Sequence, residues 1–274
     1  MRPRRWLALL FLLISLILAA CVTETGRDAV PSQQETAIPT EPPTVTPEFA
    51  ENTASPTSEP DFAGDGPWDV TFTTADGVML VGRLFGHGDD VLVLIPTYPG
   101  GQSAWYGFAE VAAAQGYRVL SFDLRGYGAS GGDRATISAP DDLAAAVAFL
   151  QEHEARRMML IGAGVGGMAA IKVAAADEAA FAGLAVISSA RAFNGLEISD
   201  ADLAALTLPS LWIGTRNDML QQVEEMYELA SSAQKELWIY EGSSLHGTYI
   251  FEGADGPDLE QRLLAFAARV LSEQ

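Results

Sequence analysis

Residues 158–167 read Met158-Met159-Leu160-Ile161-Gly162-Ala163-Gly164-Val165-Gly166-Gly167. Four apolar residues run into a glycine-rich bend, and an alanine-rich helical pattern follows from Val165 to Ala176. A short apolar run bounded by glycine suits a strand buried on both faces. The same alternation repeats on either side of this bend. Upstream, strands are expected at Val91–Ile95 and Val119–Phe122. A helix from Ser103 to Gln115, ended by Gly116, should lie between them. A second helix should start from a Ser138 cap, carry Pro140 in its first turn and run to about His153. Downstream, strands are expected at Leu184–Ile187, Leu208–Ile213 and Leu237–Tyr240, and helices at Leu220–Ser232 and Leu259–Leu271. Ahead of all these, Asp69–Thr73 and Val78–Phe85 flank Asp76-Gly77 and read as a hairpin. Repeated strand–helix order means an α/β class fold: a mostly parallel sheet with helices on both faces and an N-terminal hairpin.

In such sheets ligands bind beyond the carboxyl ends of the strands. The loops there are Pro96-Thr97-Tyr98-Pro99-Gly100-Gly101, Asp123 to Ser130, Gly162 to Gly167, Gly214 to Asp218, and His246-Gly247. Taken together they resemble the α/β-hydrolase superfamily, in its small serine-esterase and serine-aminopeptidase-like members. The resemblance covers about residues 68–271 and is most specific at Asp123 to Ser130. It implies a nucleophile elbow, Gly-x-Ser-x-Gly, at Gly162 to Gly166, with Gly167 continuing the pattern. It implies that Asp218 is the triad acid and His246 the triad base, and that the N–H groups of Val165 and Tyr98 bind the oxyanion. The chain departs from the family at two places. The serine position is Gly164, and the His-Gly that precedes the second oxyanion donor is Pro96-Thr97. Only about twenty residues separate the strands ending near Ile187 and starting near Leu208, so the lid that family members often carry is minimal or absent.

Glycine at 164 removes the atom that attacks. Acyl transfer by this route needs a hydroxyl beside the histidine, so that proton removal and attack coincide. A catalytically degenerate domain with a binding or structural role is therefore the first expectation. A hydrolase of small exposed substrates is the second. It would pair His246 and Asp218 with Ser103, Ser188 or Ser189, or with a water held above Gly164. If everything else were intact, Gly164→Ser should restore esterase activity. A third reading takes Gly162-x-Gly164-x-x-Gly167 literally, as a nucleotide or anion loop at a helix start. The bend follows two earlier strand–helix units, however, and 181–187 carry no acidic residue for a ribose. No cofactor is expected, and three dispersed histidines have no metal-ligand spacing. His87 and His153 read as surface residues, Asp123 and Arg125 as loop-fixing groups, Ser130 as a turn cap, and Trp212 and Trp238 as core.

The N-terminus is of another kind. Arg2, Arg4 and Arg5 precede an apolar run from Trp6 to Ala20, and Cys21 follows. That run would span about 22 Å as a helix, short of a bilayer core of roughly 30 Å. Residues 1–20 read as a signal peptide, and Leu18-Ala19-Ala20-Cys21 resembles the bacterial lipoprotein lipobox. The resemblance implies cleavage before Cys21, lipid on its sulfur and an extracytoplasmic, membrane-anchored chain. Cys21 is the sole cysteine, so no intramolecular disulfide exists. Residues 22–66 hold seven prolines and nine acidic side chains against one arginine, a composition that reads as a disordered tether. The domain is then 67–274. Without the signal, thirteen basic residues face thirty-six acidic ones, a net charge near −23. That excludes nucleic acid as a partner and disfavours adsorption to anionic lipid. It leaves membrane lipid through Cys21, and a small acyl compound, a peptide or a surface protein, as expected partners.

Overall fold

A computed structural model of the chain describes residue 62, residues 66–134 and residues 138–272. The signal segment 1–20, Cys21 and nearly all of 22–66 lie outside the described residues. Ten strands and six α-helices follow in order among those described. The hairpin β1 (Trp68–Thr73) and β2 (Met79–Phe85) turns at Asp76-Gly77, where Gly77 takes φ +86°. Thr74 and Val78 close the turn with paired backbone and hydroxyl hydrogen bonds. Strand β3 (Asp90–Ile95) leads through a short 3-10 turn, Gln102–Trp105, to α1 (Tyr106–Ala114). The helix expected from Ser103 thus starts later, because Trp105 turns fully into the core.

Then follow β4 (Arg118–Phe122), α2 (Ala139–Glu152), β5 (Arg157–Ala163), α3 (Val165–Ala176) and β6 (Phe181–Ile187). Ser138 precedes α2, but its side chain makes no capping bond; its carbonyl accepts from Asp142 N–H. Between β6 and β9 lie two-residue strands β7 (Ala192–Phe193) and β8 (Leu196–Glu197) and the one-and-a-half-turn α4 (Asp200–Ala205). Ser199 and Asp202 close a reciprocal cap at the start of α4. This is all that stands where a lid would be. Strand β9 (Ser210–Thr215), α5 (Leu220–Leu229), β10 (Lys235–Tyr240) and α6 (Gly256–Ser272) complete the fold. Helix α5 stops three residues before the expected Ser232.

The main sheet has eight strands in the order β1-β2-β4-β3-β5-β6-β9-β10. From β4 to β10 every pairing is parallel, while β1–β2 and β2–β4 are antiparallel. One apolar cluster joins the sheet to α2, α3 and α5; a second joins its other face to α1 and α6. That is the expected fold. Strand β3 sits between β4 and β5, so the chain leaves β3 to one side and then crosses back to the other. Such a reversal opens a crevice at the carboxyl ends. The loops after β3 and β5, which carry Thr97 and Gly164, border it.

Two core expectations are corrected. Trp212 is fully buried, but Trp238 is exposed, because β10 is the edge strand; Arg262 covers its ring. His153 does not face solvent freely. Its ring is half-buried against Phe149 and Phe62, and its Nδ1 lies 2.7 Å from Phe149 O.

Candidate active site

The bend after β5 is built by close approach. A β-carbon at 162 would lie 2.3 Å from Gly166 O, and one at 166 would lie 2.4 Å from Ile95 O. Glycine at both positions lets α3 rise directly off β5 and against the end of β3. Gly164 takes φ +53° and ψ −118°, and its N–H donates to Ile187 O at 2.8 Å. A serine nucleophile is held in just such a strained turn, so the backbone has the shape for it. Val165 is the first residue of α3, and its N–H therefore has no acceptor within the helix.

The two other site residues meet. Asp218 follows β9 in a tight turn in which its N–H bonds to Thr215 O. His246 follows β10, and Thr215 Oγ1 donates to Leu245 O at 3.2 Å, tying the two loops together. His246 Nδ1 and Asp218 Oδ2 are 2.8 Å apart, with the histidine one-third exposed and the carboxylate mostly covered. A carboxylate on Nδ1 fixes the ring and its tautomer and leaves Nε2 as the working nitrogen.

Nε2 points at residue 164. A β-carbon there would lie 2.9 Å from Nε2 and 2.3 Å from Thr97 Oγ1. The space above Gly164 is therefore partly taken by the Thr97 side chain. Residue Thr97 is 1% exposed, and its hydroxyl has no hydrogen-bond partner among the described residues. The expected space above Gly164 is thus narrowed by Thr97 Oγ1, which a serine placed at 164 alone would meet. The nucleotide-loop reading loses its space at the same point, since Thr97 and His246 both crowd the start of α3.

None of the other serines is placed to serve. Ser189 is buried and donates to Gly164 O at 2.9 Å, holding the bend from below. Ser188 is fully buried at φ +49°. Ser103 is exposed in the 3-10 turn before α1. Thr97 itself makes no bond to His246 and is closed off from solvent, so it lacks both the contact with the base and the access that a nucleophile needs.

Asp123 and Ser130 are scaffolding, as expected. Asp123 accepts from the N–H and the side-chain amide of Gln102, both at 2.8 Å. Ser130 Oγ donates to Asp123 O and accepts from Val81 N–H. Tyr98 packs edge-on to Tyr127 and Phe193, and its hydroxyl bonds to Arg134 O. Apolar residues stand near the dyad in the chain: Met219 next to Asp218, Leu245 next to His246, and Tyr249, whose N–H donates to His246 O, while Phe193 packs against Tyr98. All four are exposed. No three potential metal ligands cluster among the described residues.

The sequence profile described as "Alpha/beta hydrolase family" matches residues 92–268, from β3 into α6. The chain belongs to the alpha/beta hydrolase family. Solved structures of the family superpose on it. The esterase Pf2001 of Pyrococcus furiosus has a TM-score of 0.65 at 21% identity, over 74% of this chain and 92% of that one. The esterase EaEST of Exiguobacterium antarcticum gives 0.60 at 14%, over 73% and 100%. The monoacylglycerol lipase of Paleococcus ferrophilus gives 0.61 at 15%, over 70% and 99%. At these identities the likeness is one of fold. Comparison with curated protein sequences returns no match.

What the sequence did not reveal is the role of Thr97. Its signal was present, though, as a pair: a side chain where the family has glycine, and glycine where the family has a side chain.

Proposed function

We propose that this chain is a lipid-anchored alpha/beta-hydrolase-fold protein that works by binding, or as a structural component, at the cell surface, without serine-based turnover. One observation carries the reading: residue 164 is glycine, and the place of its missing side chain is taken by an enclosed threonine. The base then has no hydroxyl to deprotonate. Losing one member of such a unit costs several powers of ten in rate. Exposed Met219, Leu245 and Tyr249, close in the chain to Asp218 and His246, suit a ligand with an apolar group, such as a small acyl compound or a peptide side chain. The lipobox-like Leu18-Ala19-Ala20-Cys21 supports the anchor and an extracytoplasmic location.

A second reading, ester hydrolysis with another nucleophile, is favoured by the intact His246–Asp218 contact at 2.8 Å. One experiment separates the two. Hydrolysis of 4-nitrophenyl acetate and butyrate, and labelling by a fluorophosphonate, are measured for the native chain and for His246→Ala. The proposal expects both proteins to match the buffer rate and neither to label. Turnover that His246→Ala abolishes would overturn it in favour of the esterase.

A further inference from the structure

Two of the three residues that depart from the family pattern, at 97 and 164, lie sixty-seven positions apart, yet they touch. A β-carbon at 164 would lie 2.3 Å from Thr97 Oγ1, closer than such atoms come, and a tight 3.2 Å from Thr97 Cβ. A side chain at 164 therefore cannot stand beside Thr97 in the position that threonine holds here. Other parts of the site are in place. The elbow has its left-handed turn. His246 is held by Asp218 and turned toward 164. The first N–H of α3 has no acceptor in its own helix. A β-carbon at Gly247 would come within 3.2 Å of Thr97 Cβ, so threonine also packs against the loop that carries the base.

We propose that Thr97 is a plug whose side chain silences an otherwise complete ester-hydrolysing site, and that exchanging residues 97 and 164 together releases the activity. The proposal rests on the reading of the native site as non-catalytic and goes beyond it, because it assigns the cause of silence to one contact. With the space cleared, the chemistry balances without further parts. The hydroxyl introduced by Gly164→Ser gives its proton to His246 Nε2 as its oxygen bonds to the ester carbonyl carbon. The tetrahedral oxyanion collapses, the ester C–O bond breaks, and the leaving alkoxide or phenolate takes the proton from His246. A water then attacks the acyl-enzyme with His246 as base, releasing the acid and restoring the hydroxyl. The sum is ester plus water giving acid plus alcohol.

The experiment compares four full-length proteins: native, Thr97→Gly, Gly164→Ser and the double variant. Turnover of 4-nitrophenyl acetate and the site of fluorophosphonate attachment are read. The double variant should exceed each single one by about a hundredfold or more in kcat/KM, since only it has both the hydroxyl and freedom from Thr97; His246, whose Nε2 lies 2.9 Å from a β-carbon at 164, must still draw back slightly. Its label should fall on position 164, and His246→Ala should remove both. Equal activity in Gly164→Ser alone overturns the plug. A folded double variant that neither turns over nor labels overturns the claim that the remaining site is complete. If the native chain itself turned over with dependence on His246, the non-catalytic reading would fail instead, which keeps the two failures apart.

A stability cycle tests the contact without any activity. Strain from φ +53° burdens Gly164→Ala equally in either background, so it cancels. The collision with Thr97 does not. Gly164→Ala should lower Tm in the native background and lower it by less than half as much after Thr97→Gly, or fold only after Thr97→Gly. An equal fall in both backgrounds, or loss of folding in both, overturns the proposal.

Discussion

At the residue scale, the site is a question of what one hydroxyl is for. A buried hydroxyl without a partner costs about 1–3 kcal/mol, the desolvation of a group that has lost its water. Thr97 Oγ1 is buried with no hydrogen-bond partner among the described residues. If its part is to fill space, valine fills the same space with a methyl in place of the oxygen. Thr97→Val should then leave the protein folded, silent and equally stable or more stable, by up to about 1–3 kcal/mol in urea unfolding. A clear loss of stability would mean that the hydroxyl has a bond of its own, for example to an ordered water, and that its oxygen matters. The residue also shows where sequence reasoning stops. Asp218 and His246 were legible because each stands at a fixed place after its strand. Gly164 was legible because a bend of that form requires an occupant. Thr97 against Gly164 was not, because two loops meet there that only the sheet order brings side by side.

At the scale of elements, Arg125 clamps three of them. Its guanidinium pairs with Asp142 of α2 at 2.7 Å and with Asp76 of the β1–β2 turn at 2.7 Å, and its N–H donates to Asp142 Oδ2. The two carboxylates are displaced in opposite directions. Burial pushes Asp142 up, against its bonds to Arg125. The hydrogen bond from Arg125, helped by that from Thr74, holds Asp76 down to about 2 from an ordinary 3.8. A depressed carboxylate stabilises the fold fully above its ordinary value, and that contribution is lost as pH falls through the folded value. The stability gap between the native chain and Asp76→Asn should therefore be constant near neutral pH, narrow below about pH 4 and close near pH 2. A gap that persists at pH 2 in urea unfolding would place its origin outside this ion pair. Arg125 was read from the sequence as a loop-fixing residue, and its partners confirm the part. Long elements were legible from apolar runs. The two-residue β7 and β8, the short α4 and the exposure of Trp238 were not. Periodicity carries no signal over two residues, and a strand does not announce that it will be an edge.

At the scale of the molecule, the sheet separates where the chain enters from where the site stands. Strand β1 is antiparallel to β2 and β2 to β4, so Trp68 starts at the amino end of the parallel strands. Thr97, Gly164, Asp218 and His246 all follow the carboxyl ends. The chain thus enters β1 at the end of the sheet opposite the site. No helix among the described residues is long and apolar enough to cross a membrane. If the chain is membrane-bound, lipid on Cys21 is the attachment the sequence offers. Charge cannot substitute for it, since a chain with sixteen basic and thirty-six acidic residues, net −20, is repelled by anionic lipid. The full-length protein made in a bacterium that processes lipoproteins should partition into the detergent phase of a cloud-point separation and stay with membranes in high salt. Cys21→Ala should move it to the aqueous phase. Its unfolding free energy should change by no more than about 0.5 kcal/mol, as for a substitution outside the core. Release of the native protein by salt alone would mean that an ionic contact holds it, and native protein already in the aqueous phase would remove the anchor from the account. Because one acyl chain gives only marginal, reversible binding, firm retention in salt would further imply that more than one chain is attached at Cys21.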